Sequence, residues 1–224
     1  MKIALCLSGL PRFVEEAYTN IFENLIEPNN ADVFLHTWTN DKSVEMKIID
    51  LYKPKKYLIE SQREFLNTNM NHDVMLSSYA RYYLKENFTK MIYSSWYSVQ
   101  QSNLLKEQYR LENDFTYDCV IRARFDTIFN QKVDCKNSNL DIINISCRDL
   151  PVNDMTDDRF AYSSNKNMNI YSNIFGYIDY IHNKRQKMDG IFCGETLVYE
   201  ALKYFDIKCE RVNGLYCIQN SFVK

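Results

Sequence analysis

Glycine and proline are scarce in this sequence, with 5 and 4 residues among 224. No Gly/Ser-rich or Pro-rich linker divides the chain, so we predict one continuous domain over residues 1–224. The phosphate-loop pattern G-x-x-x-x-G-K-[ST] is absent, and so is the dinucleotide fingerprint G-x-G-x-x-G. The two most familiar phosphate-binding signatures are therefore excluded.

Several other features are missing. Net charge is −2 without a basic block or stripe, so we do not expect a nucleic-acid partner. No apolar run is long enough to cross a bilayer, and the run Ile3 to Leu7 is too short for a signal peptide, so we expect a cytoplasmic protein without a transmembrane segment. The seven cysteines form no C-x-x-C pair, which favours reduced core residues over disulfides or zinc ligands.

Strands and helices are predicted to alternate in the first part of the chain. Buried strands are predicted at Lys2 to Leu7, Asp32 to His36 and Tyr57 to Ile59. Helices are predicted between them, at Phe13 to Leu25 and near Val44 to Leu51. This alternation predicts an α/β fold, with a mostly parallel central sheet flanked by helices on both faces.

The rest of the chain is less regular. Further helices are predicted at Ser77 to Asn87, Thr89 to Tyr109, Asn165 to His182 (with Ser164 as its cap) and Glu195 to Phe205. Further strands are predicted at Cys119 to Ile121, Asp141 to Ser146, Arg159 to Ser163, Ile207 to Val212 and Leu215 to Ile218.

The strand at Cys119 to Ile121 runs into Arg122, Arg124 and Asp126. In an open α/β sheet, ligands bind beyond the carboxyl ends of the strands. A carboxylate held there between guanidinium groups suits a diphosphate, bound directly or through a metal ion. The alternative is a structural salt bridge that closes the strand.

Two earlier strands end in polar residues at the same edge. Ser8, Gly9 and Arg12 lie between the first strand and the first helix, where Gly9 permits a tight turn and Arg12 favours an anion. His36 could contact a phosphate, a ribose or a base, and Trp38 could form the wall of a base or sugar pocket. The alternative for Ser8 to Arg12 is an ordinary strand-to-helix turn. The alternative for His36 is a hydrogen-bonded structural residue, and for Trp38 it is a ring that only covers the end of the sheet.

Carboxylates in the second half are candidates for proton transfer. Asp158 lies in a loop before a predicted strand, where it could bind a metal or an acceptor hydroxyl. Glu195 lies at a predicted helix start and could act as a general base. The alternatives are a solvated turn for Asp158 and a glutamate that favours the helix dipole for Glu195.

Taken together, these motifs resemble those of small bacterial and large-virus glycosyltransferases that open with a strand and an L-S-G-x-P-R loop. The resemblance runs over nearly the whole chain. The matching segments are Cys6 to Arg12 (L-S-G-x-P-R), Asp32 to Trp38 (D-V-F-x-H-T-W), Tyr52 to Tyr57 (Y-x-P-K-K-Y), Tyr117 to Asp126 (Y-D-x-V-I-R-x-R-F-D), Met168 to Asn173 (M-x-I-Y-S-N) and Glu195 to Leu197 (E-T-L).

The resemblance implies a GT-A-like domain whose residues 1–126 bind a nucleotide sugar and whose residues 127–224 shape the acceptor side. Such an enzyme moves a sugar from a nucleoside-diphosphate sugar to a hydroxyl of a glycan or glycoconjugate. It implies catalytic roles for Glu195 and Asp158. The donor-binding residues that it implies are Ser8, Gly9, Arg12, His36, Trp38, Arg122, Arg124 and Asp126.

One departure from the GT-A pattern concerns the metal. In GT-A enzymes an Asp-x-Asp motif holds a metal and the donor diphosphate, and here Arg124 stands at the first aspartate. The resemblance implies Mg²⁺ or Mn²⁺ at Asp126, whereas the charge of Arg124 offers a metal-independent alternative. Two rival functions stay open, a sugar nucleotidyltransferase and a catalytically inactive nucleotide-sugar-binding module.

Overall fold

The computed structural model describes residues 1–65, 88–147, 153–187 and 192–219. Within these residues, seven strands form one sheet in the spatial order β3 (Lys56–Glu60), β2 (Asp32–Trp38), β1 (Ile3–Gly9), β4 (Cys119–Arg124), β7 (Ala161–Ser164), β6 (Ile143–Ile145) and β8 (Cys209–Arg211). A second, two-stranded sheet pairs β5 (Thr127–Phe129) with β9 (Cys217–Gln219).

The large sheet is mixed but mostly parallel. Strands β3, β2, β1 and β4 run parallel to one another, and β8 runs parallel to β6. Among the described strands of this sheet, only β7 is antiparallel to its neighbours, which are β4 and β6. Because β4 pairs with β7, both halves of the chain contribute to one continuous sheet.

Helices cover both faces of this sheet. They are α1 (Val14–Ile21), α2 (Glu27–Asn29), α3 (Lys42–Tyr52), α4 (Phe88–Glu112), α5 (Asn165–Ser172), α6 (Ile178–Lys187) and α7 (Gly194–Tyr204). The predicted α/β architecture is therefore confirmed. The helix predicted at Ser77 to Asn87 lies outside the described residues. No helix in the described ranges combines the length and apolarity needed to cross a membrane.

Alternating side chains of the parallel strands enter two separate cores. Leu5 and Leu7 of β1 pack into the core shared with α1 and α3. Ala4 and Cys6, from the same strand, pack into the core shared with α4 to α7. Successive side chains of a strand point to opposite faces, so a strand covered on both faces is apolar throughout. This explains the continuous apolar runs at the start of the strands.

The helix predicted at Phe13 to Leu25 is present, but it changes its type along its length. It is α-helical over Val14–Ile21 and continues as a π-helix over Phe22–Ile26. Pro28 has no N–H to donate to the carbonyl of Asn24, four residues earlier, and its ring would clash with that carbonyl. The Asn24 carbonyl instead accepts a hydrogen bond from the backbone N–H of Val133, at 2.9 Å.

The single helix predicted at Asn165 to His182 is also interrupted. The side chain of Ser164 accepts a hydrogen bond from the N–H of Asn167, which confirms the predicted cap. A 3₁₀ segment at Asn173–Tyr177 then separates α5 from α6. This segment contains Gly176, and glycine is a poor helix former, so a tighter turn is accommodated there.

Asn29 joins the end of the first helical segment to the strand connection that follows β5. Its amide donates to the carbonyls of Leu25 (2.9 Å) and Val133 (2.8 Å), and its carbonyl oxygen accepts from the N–H of Cys135 (3.2 Å). The side chain is 2% exposed. Its loss would leave several buried backbone groups without partners.

We predict that Asn29→Ala lowers the free energy of unfolding by about 2–3 kcal/mol, because buried unpaired polar groups are costly. Urea unfolding at constant m-value measures the change. Asn113→Ala is the matched control, since exposed Asn113 makes the same bond to the carbonyl four residues earlier, that of Tyr109. The control should lose less than about 0.5 kcal/mol. Equal losses in the two variants would contradict this role of burial.

Candidate functional site

The strand order creates a crevice beside β1. From β1 the chain moves to β2 on one side, and β4 later enters the sheet on the other side of β1. The carboxyl ends of β1 and β4 therefore border a topological switch point, the position at which open α/β sheets usually bind ligands. The β1–β4 register sets Ser8 directly opposite Arg124 at this point.

A cavity of about 310 Å³ opens at this position. Ligand pockets typically begin at this size. Five residues predicted to bind a donor line it: Ser8, Gly9, Arg12, Trp38 and Arg124. The opposite wall comes from the region after β3 and from α4, through Gln62, Met91, Ser94 and Ser95. The structure thus brings the ends of three parallel strands together around one cavity.

Strand alternation explains why these side chains meet. Ser8 lies two residues beyond Cys6, Trp38 lies four beyond Phe34, and Arg124 lies four beyond Val120. Cys6, Phe34 and Val120 belong to the core under α4. Side chains at even spacing share one face of a strand, so all three cavity residues lie on the face that α4 covers.

Two polar groups of the cavity walls have no hydrogen-bond partner among the described residues. They are the hydroxyl of Ser8 and the indole N–H of Trp38, and both are buried. Ser8 is 1% exposed and Trp38 is 4% exposed. Buried donors without partners are uncommon, and each needs a physical explanation. A ligand with acceptor oxygens in the cavity would satisfy both.

Arg124 and Asp126 form a two-point ion pair. The Nε and Nη2 groups of Arg124 donate to Oδ1 and Oδ2 of Asp126, both at 2.8 Å. Burial works against the charged guanidinium, but these hydrogen bonds and the attraction of Asp126 and Asp158 outweigh it and raise the pKa of Arg124. Asp126 follows the end of β4 in a turn, and its side chain is 3% exposed. Asp126 therefore binds and orients the Arg124 guanidinium from a buried position.

His36 is completely buried and is not among the described residues that line the cavity. Its Nδ1 lies 2.8 Å from the hydroxyl of Ser98, and its Nε2 lies 3.1 Å from Oε1 of Glu60. Burial lowers the pKa of His36, although Glu60 opposes this shift. A neutral ring that donates from Nε2 to Glu60 and accepts from Ser98 fits these distances. Both ring nitrogens of His36 are thus engaged within the protein, and the ligand contact predicted for His36 stays a prediction.

The hydrogen bonds of His36 extend to the loop after β1. Ser98, on α4, accepts a hydrogen bond from the N–H of Gly9 at 2.7 Å. The carbonyl of Gly9 accepts from the hydroxyl of Thr37, also at 2.7 Å. Gly9 has φ +107°, a conformation that side-chain-bearing residues rarely adopt. Both backbone groups of Gly9 are therefore fixed from within the protein, which holds the cavity loop in place.

Aromatic rings form the side of the cavity near β2. The indole of Trp38 stacks on the ring of Tyr97, with centroids 5.4 Å apart and an angle of 27°. His36 contacts Trp38 edge-on at 4.6 Å. The guanidinium of Arg63 lies over the ring of Tyr97, 5.0 Å from its centroid. Such a cluster holds Trp38 in one orientation and leaves its N–H for the cavity.

Asp158 and Glu195 approach each other near Arg124. Burial and the charge of Glu195 raise the pKa of Asp158 to about 6, while Arg122 and Arg124 oppose this shift. Arg122 is 2% exposed, and its Nη1 group donates to the backbone carbonyl of Asp158. Arg122 therefore holds the Asp158 loop from within the core. Two nearby carboxyl groups with one raised pKa are suited to proton transfer.

Gly194 permits this approach of the two carboxylates. Gly194 is the first residue of α7, directly before Glu195. A Cβ atom at this position would lie 2.2 Å from Oδ2 and 3.0 Å from Cγ of Asp158. The Asp158 carboxyl therefore packs against the backbone at the start of α7. The loop is also fixed by the N–H of Thr156, which donates to the Glu195 carbonyl at 3.0 Å.

Other depressions of the surface are less suited to a ligand of this kind. One of about 410 Å³ lies at the opposite edge of the sheet, beside Lys2 and Asp32 at the amino ends of β1 and β2. Another, of about 480 Å³, lies between α7 and β8 and is lined in part by Tyr199 and Arg211. Neither lies at the carboxyl ends of β1, β2 and β4, which border the topological switch point where this architecture binds ligands.

The residues around Asp126 do not offer a ready metal site. Both carboxylate oxygens of Asp126 accept hydrogen bonds from Arg124. Within the described ranges, no three His, Cys, Asp or Glu side chains are grouped to hold an ion. Divalent Mg²⁺ needs several oxygen ligands in near-ideal geometry. The Mg²⁺ or Mn²⁺ predicted at Asp126 therefore stays a prediction.

Sequence reasoning missed the contribution of α4 and β3. Ser94 and Ser95 line the cavity, Ser98 holds its loop, and Glu60 forms a hydrogen bond with His36. Ser94 and Ser98 lie four residues apart, so they share one face of the helix. Polar residues on the buried side of a long helix were the available signal, but the sequence alone does not show which strand they meet.

A family model described as "Domain of unknown function (DUF7796)" matches residues 1–157. The chain belongs to this family. The matched residues of the DUF7796 domain include every strand end around the cavity, as well as Arg124 and Asp126, whereas Asp158 and Glu195 follow them. The chain matches no curated protein.

The raised pKa of Asp158 predicts how stability changes with pH. Its ordinary value is 3.8 and its folded value about 6, so the folded state binds the proton more tightly than the unfolded state. The free energy of unfolding should therefore fall as pH rises through this interval. We predict that Asp158→Asn is more stable than wild type at pH 7 by about 2 kcal/mol, a value reduced for partial exposure. The difference should disappear near pH 4, as measured by urea unfolding.

Asp134→Asn is a control with the opposite sign. A hydrogen bond from Asn137 lowers the pKa of the exposed Asp134 carboxyl, which stabilises the folded state above the ordinary pKa. This variant should be less stable than wild type at pH 7, and the difference in stability should disappear as pH falls below the ordinary pKa of aspartate. A neutral-pH change of the same sign in both variants would contradict the assignment for Asp158.

Proposed function

We propose that this protein is a glycosyltransferase that moves a sugar from a nucleoside-diphosphate sugar to a hydroxyl of a glycan or glycoconjugate, acting in the cytoplasm. The observation that carries the proposal is the cavity at the β1–β4 switch point. Arg12 and Arg124 line it together with Ser8 and Trp38, whose buried donors have no partner within the described ranges. Guanidinium groups and neutral donors in one cavity suit a diphosphate. The motif resemblance to small bacterial and large-virus glycosyltransferases supports the same reaction.

Different residues would bind the diphosphate of the donor and its base or sugar. Arg12 and Arg124 would pair with the diphosphate, and they would stabilise the charge that develops on the departing nucleotide. The hydroxyl of Ser8 would donate to a phosphate oxygen. Trp38, held by Tyr97 and by His36, would form a flat wall for the base or the sugar.

The acceptor would be activated on the side of Arg124 that faces Asp158. In an inverting reaction a general base takes the proton of the attacking hydroxyl. We assign this role to Glu195, with Asp158 as its neighbour. Asp158 interacts electrostatically with both Glu195 and Arg124, so the candidate base lies near the cation assigned to the donor. The loop that carries Asp158 would thus connect the general base with the diphosphate site.

Incubation with labelled UDP-, GDP- and dTDP-sugars tests the proposed function. We predict that wild type slowly hydrolyses at least one donor without an acceptor, and that Arg124→Ala loses this activity by at least about tenfold because a charge-assisted contact is lost. Formation of a nucleoside triphosphate from pyrophosphate would indicate a nucleotidyltransferase instead. Saturable binding without turnover would indicate a binding module.

A second prediction concerns the base. Once an acceptor is found, Glu195→Gln should lower the rate of transfer by about 10²–10⁴-fold, the usual contribution of a general base. Nucleotide affinity should stay unchanged, because Glu195 does not belong to the described cavity lining. Transfer is measured by the labelled product, and affinity by calorimetry.

Glu23→Gln is the matched control, because Glu23 is exposed on the π-helical segment. Its transfer rate should equal that of wild type. A parallel loss of transfer and of nucleotide affinity in Glu195→Gln would contradict the assigned role and indicate a structural one.

A further inference from the structure

The carboxylate to which the resemblance to GT-A enzymes assigns a metal is already engaged in hydrogen bonds. Asp126 accepts from Arg124 through both of its oxygens, at 2.8 Å each. A metal ion at Asp126 would have to displace at least one of these charge-assisted bonds. The carboxylate also lies below the surface, with its side chain 3% exposed.

Arg124, in contrast, reaches the cavity. Its side chain is 28% exposed, and the residue lines the cavity opposite Ser8. The two bonds to Asp126 occupy two of the five N–H donors that a guanidinium carries. This arrangement fixes the plane of the group from one side and leaves donor capacity for an anion. Asp126 therefore orients the cation that a ligand would meet.

The same cavity contains a second cation and neutral donors. Arg12 contributes another guanidinium from the loop after β1. The Ser8 hydroxyl and the Trp38 indole N–H are buried there, and neither has a hydrogen-bond partner in the part of the chain that the structure describes. Two fixed-charge groups and two hydrogen-bond donors match a diphosphate, which carries several negative charges and many acceptor oxygens.

We infer that Arg12 and Arg124 carry the positive charge opposite the diphosphate of the nucleotide, without a divalent cation, and that Asp126 is a positioning residue for Arg124. This inference rests on the proposed function, because the ligand is the nucleotide of the donor. It differs from the metal-dependent arrangement that the resemblance implies. The guanidinium at residue 124 takes the place of both the missing aspartate and the ion.

Calorimetric titration with UDP, GDP and dTDP, in EDTA and again in Mg²⁺, tests the inference. For the nucleotide that binds, the Kd of wild type should differ by less than about threefold between the two conditions. Arg124→Ala should weaken binding by at least about tenfold in both conditions, since hydrogen bonds to charged groups are strong. Arg211→Ala, an exposed arginine on β8, should bind like wild type.

Asp126→Asn separates a positioning residue from a metal ligand. If Asp126 orients Arg124, the variant should lose affinity to the same extent in EDTA and in Mg²⁺. If it binds metal, only the affinity in Mg²⁺ should fall. Circular dichroism and the melting temperature establish that each variant is folded. Should Asp126→Asn not fold, Arg124→Lys provides the test: it keeps the charge but loses the two-point pairing, so binding should weaken equally in both conditions.

The outcomes separate this inference from the proposed function. Binding of a nucleotide to wild type only in Mg²⁺ would overturn the inference and leave the glycosyltransferase proposal intact. Unchanged binding in Arg124→Ala would also overturn it. If none of the three nucleotides binds in either condition, the proposed function fails, and the inference fails with it.

Discussion

The parallel pairing of β1 with β4 is the contact on which the candidate site depends. It sets Ser8 opposite Arg124 and turns both toward the face that α4 covers. A shift of one residue would reverse the faces of a strand and turn Arg124 toward the core that contains Leu7 and Phe125. Burying an unpaired guanidinium there would be prohibitive, so the charge pattern reinforces the register that the apolar residues select.

A half-buried cation needs a partner inside the protein, and the carboxylate of Asp126 is this partner for Arg124. The loop after β1 is likewise fixed from inside the protein, through the hydrogen bonds of Gly9 with Ser98 and Thr37. His36 supports Ser98 in turn. The residues that a ligand would touch are therefore backed by a layer of buried polar groups, which fixes their geometry before a ligand arrives and lowers the cost of binding.

The second half of the chain completes the site through β7, which pairs antiparallel with β4. The loop before β7 carries Asp158, and its position depends on the backbone of Gly194 and on Arg122. The raised pKa of Asp158 reflects burial beside Glu195, and the charge of Asp158 in turn supports that of Arg124. The carboxylates assigned to the acceptor and the cations assigned to the donor thus belong to one electrostatic unit, although they come from distant segments.

The sequence by itself determined the α/β class, the parallel strands and the strand ends at which charged residues emerge, because apolar runs and alternation are local properties. It also indicated Arg12, Trp38 and Arg124 as neighbours at one edge. Only the tertiary structure decided that Arg124 faces the cavity while Asp126 lies behind it, and that His36 is buried. Whether a side chain at a strand end meets solvent or a covering helix depends on what packs over it. Here that helix is α4, which packs over β1 and β2 from a much later part of the chain, and no local pattern encodes this contact.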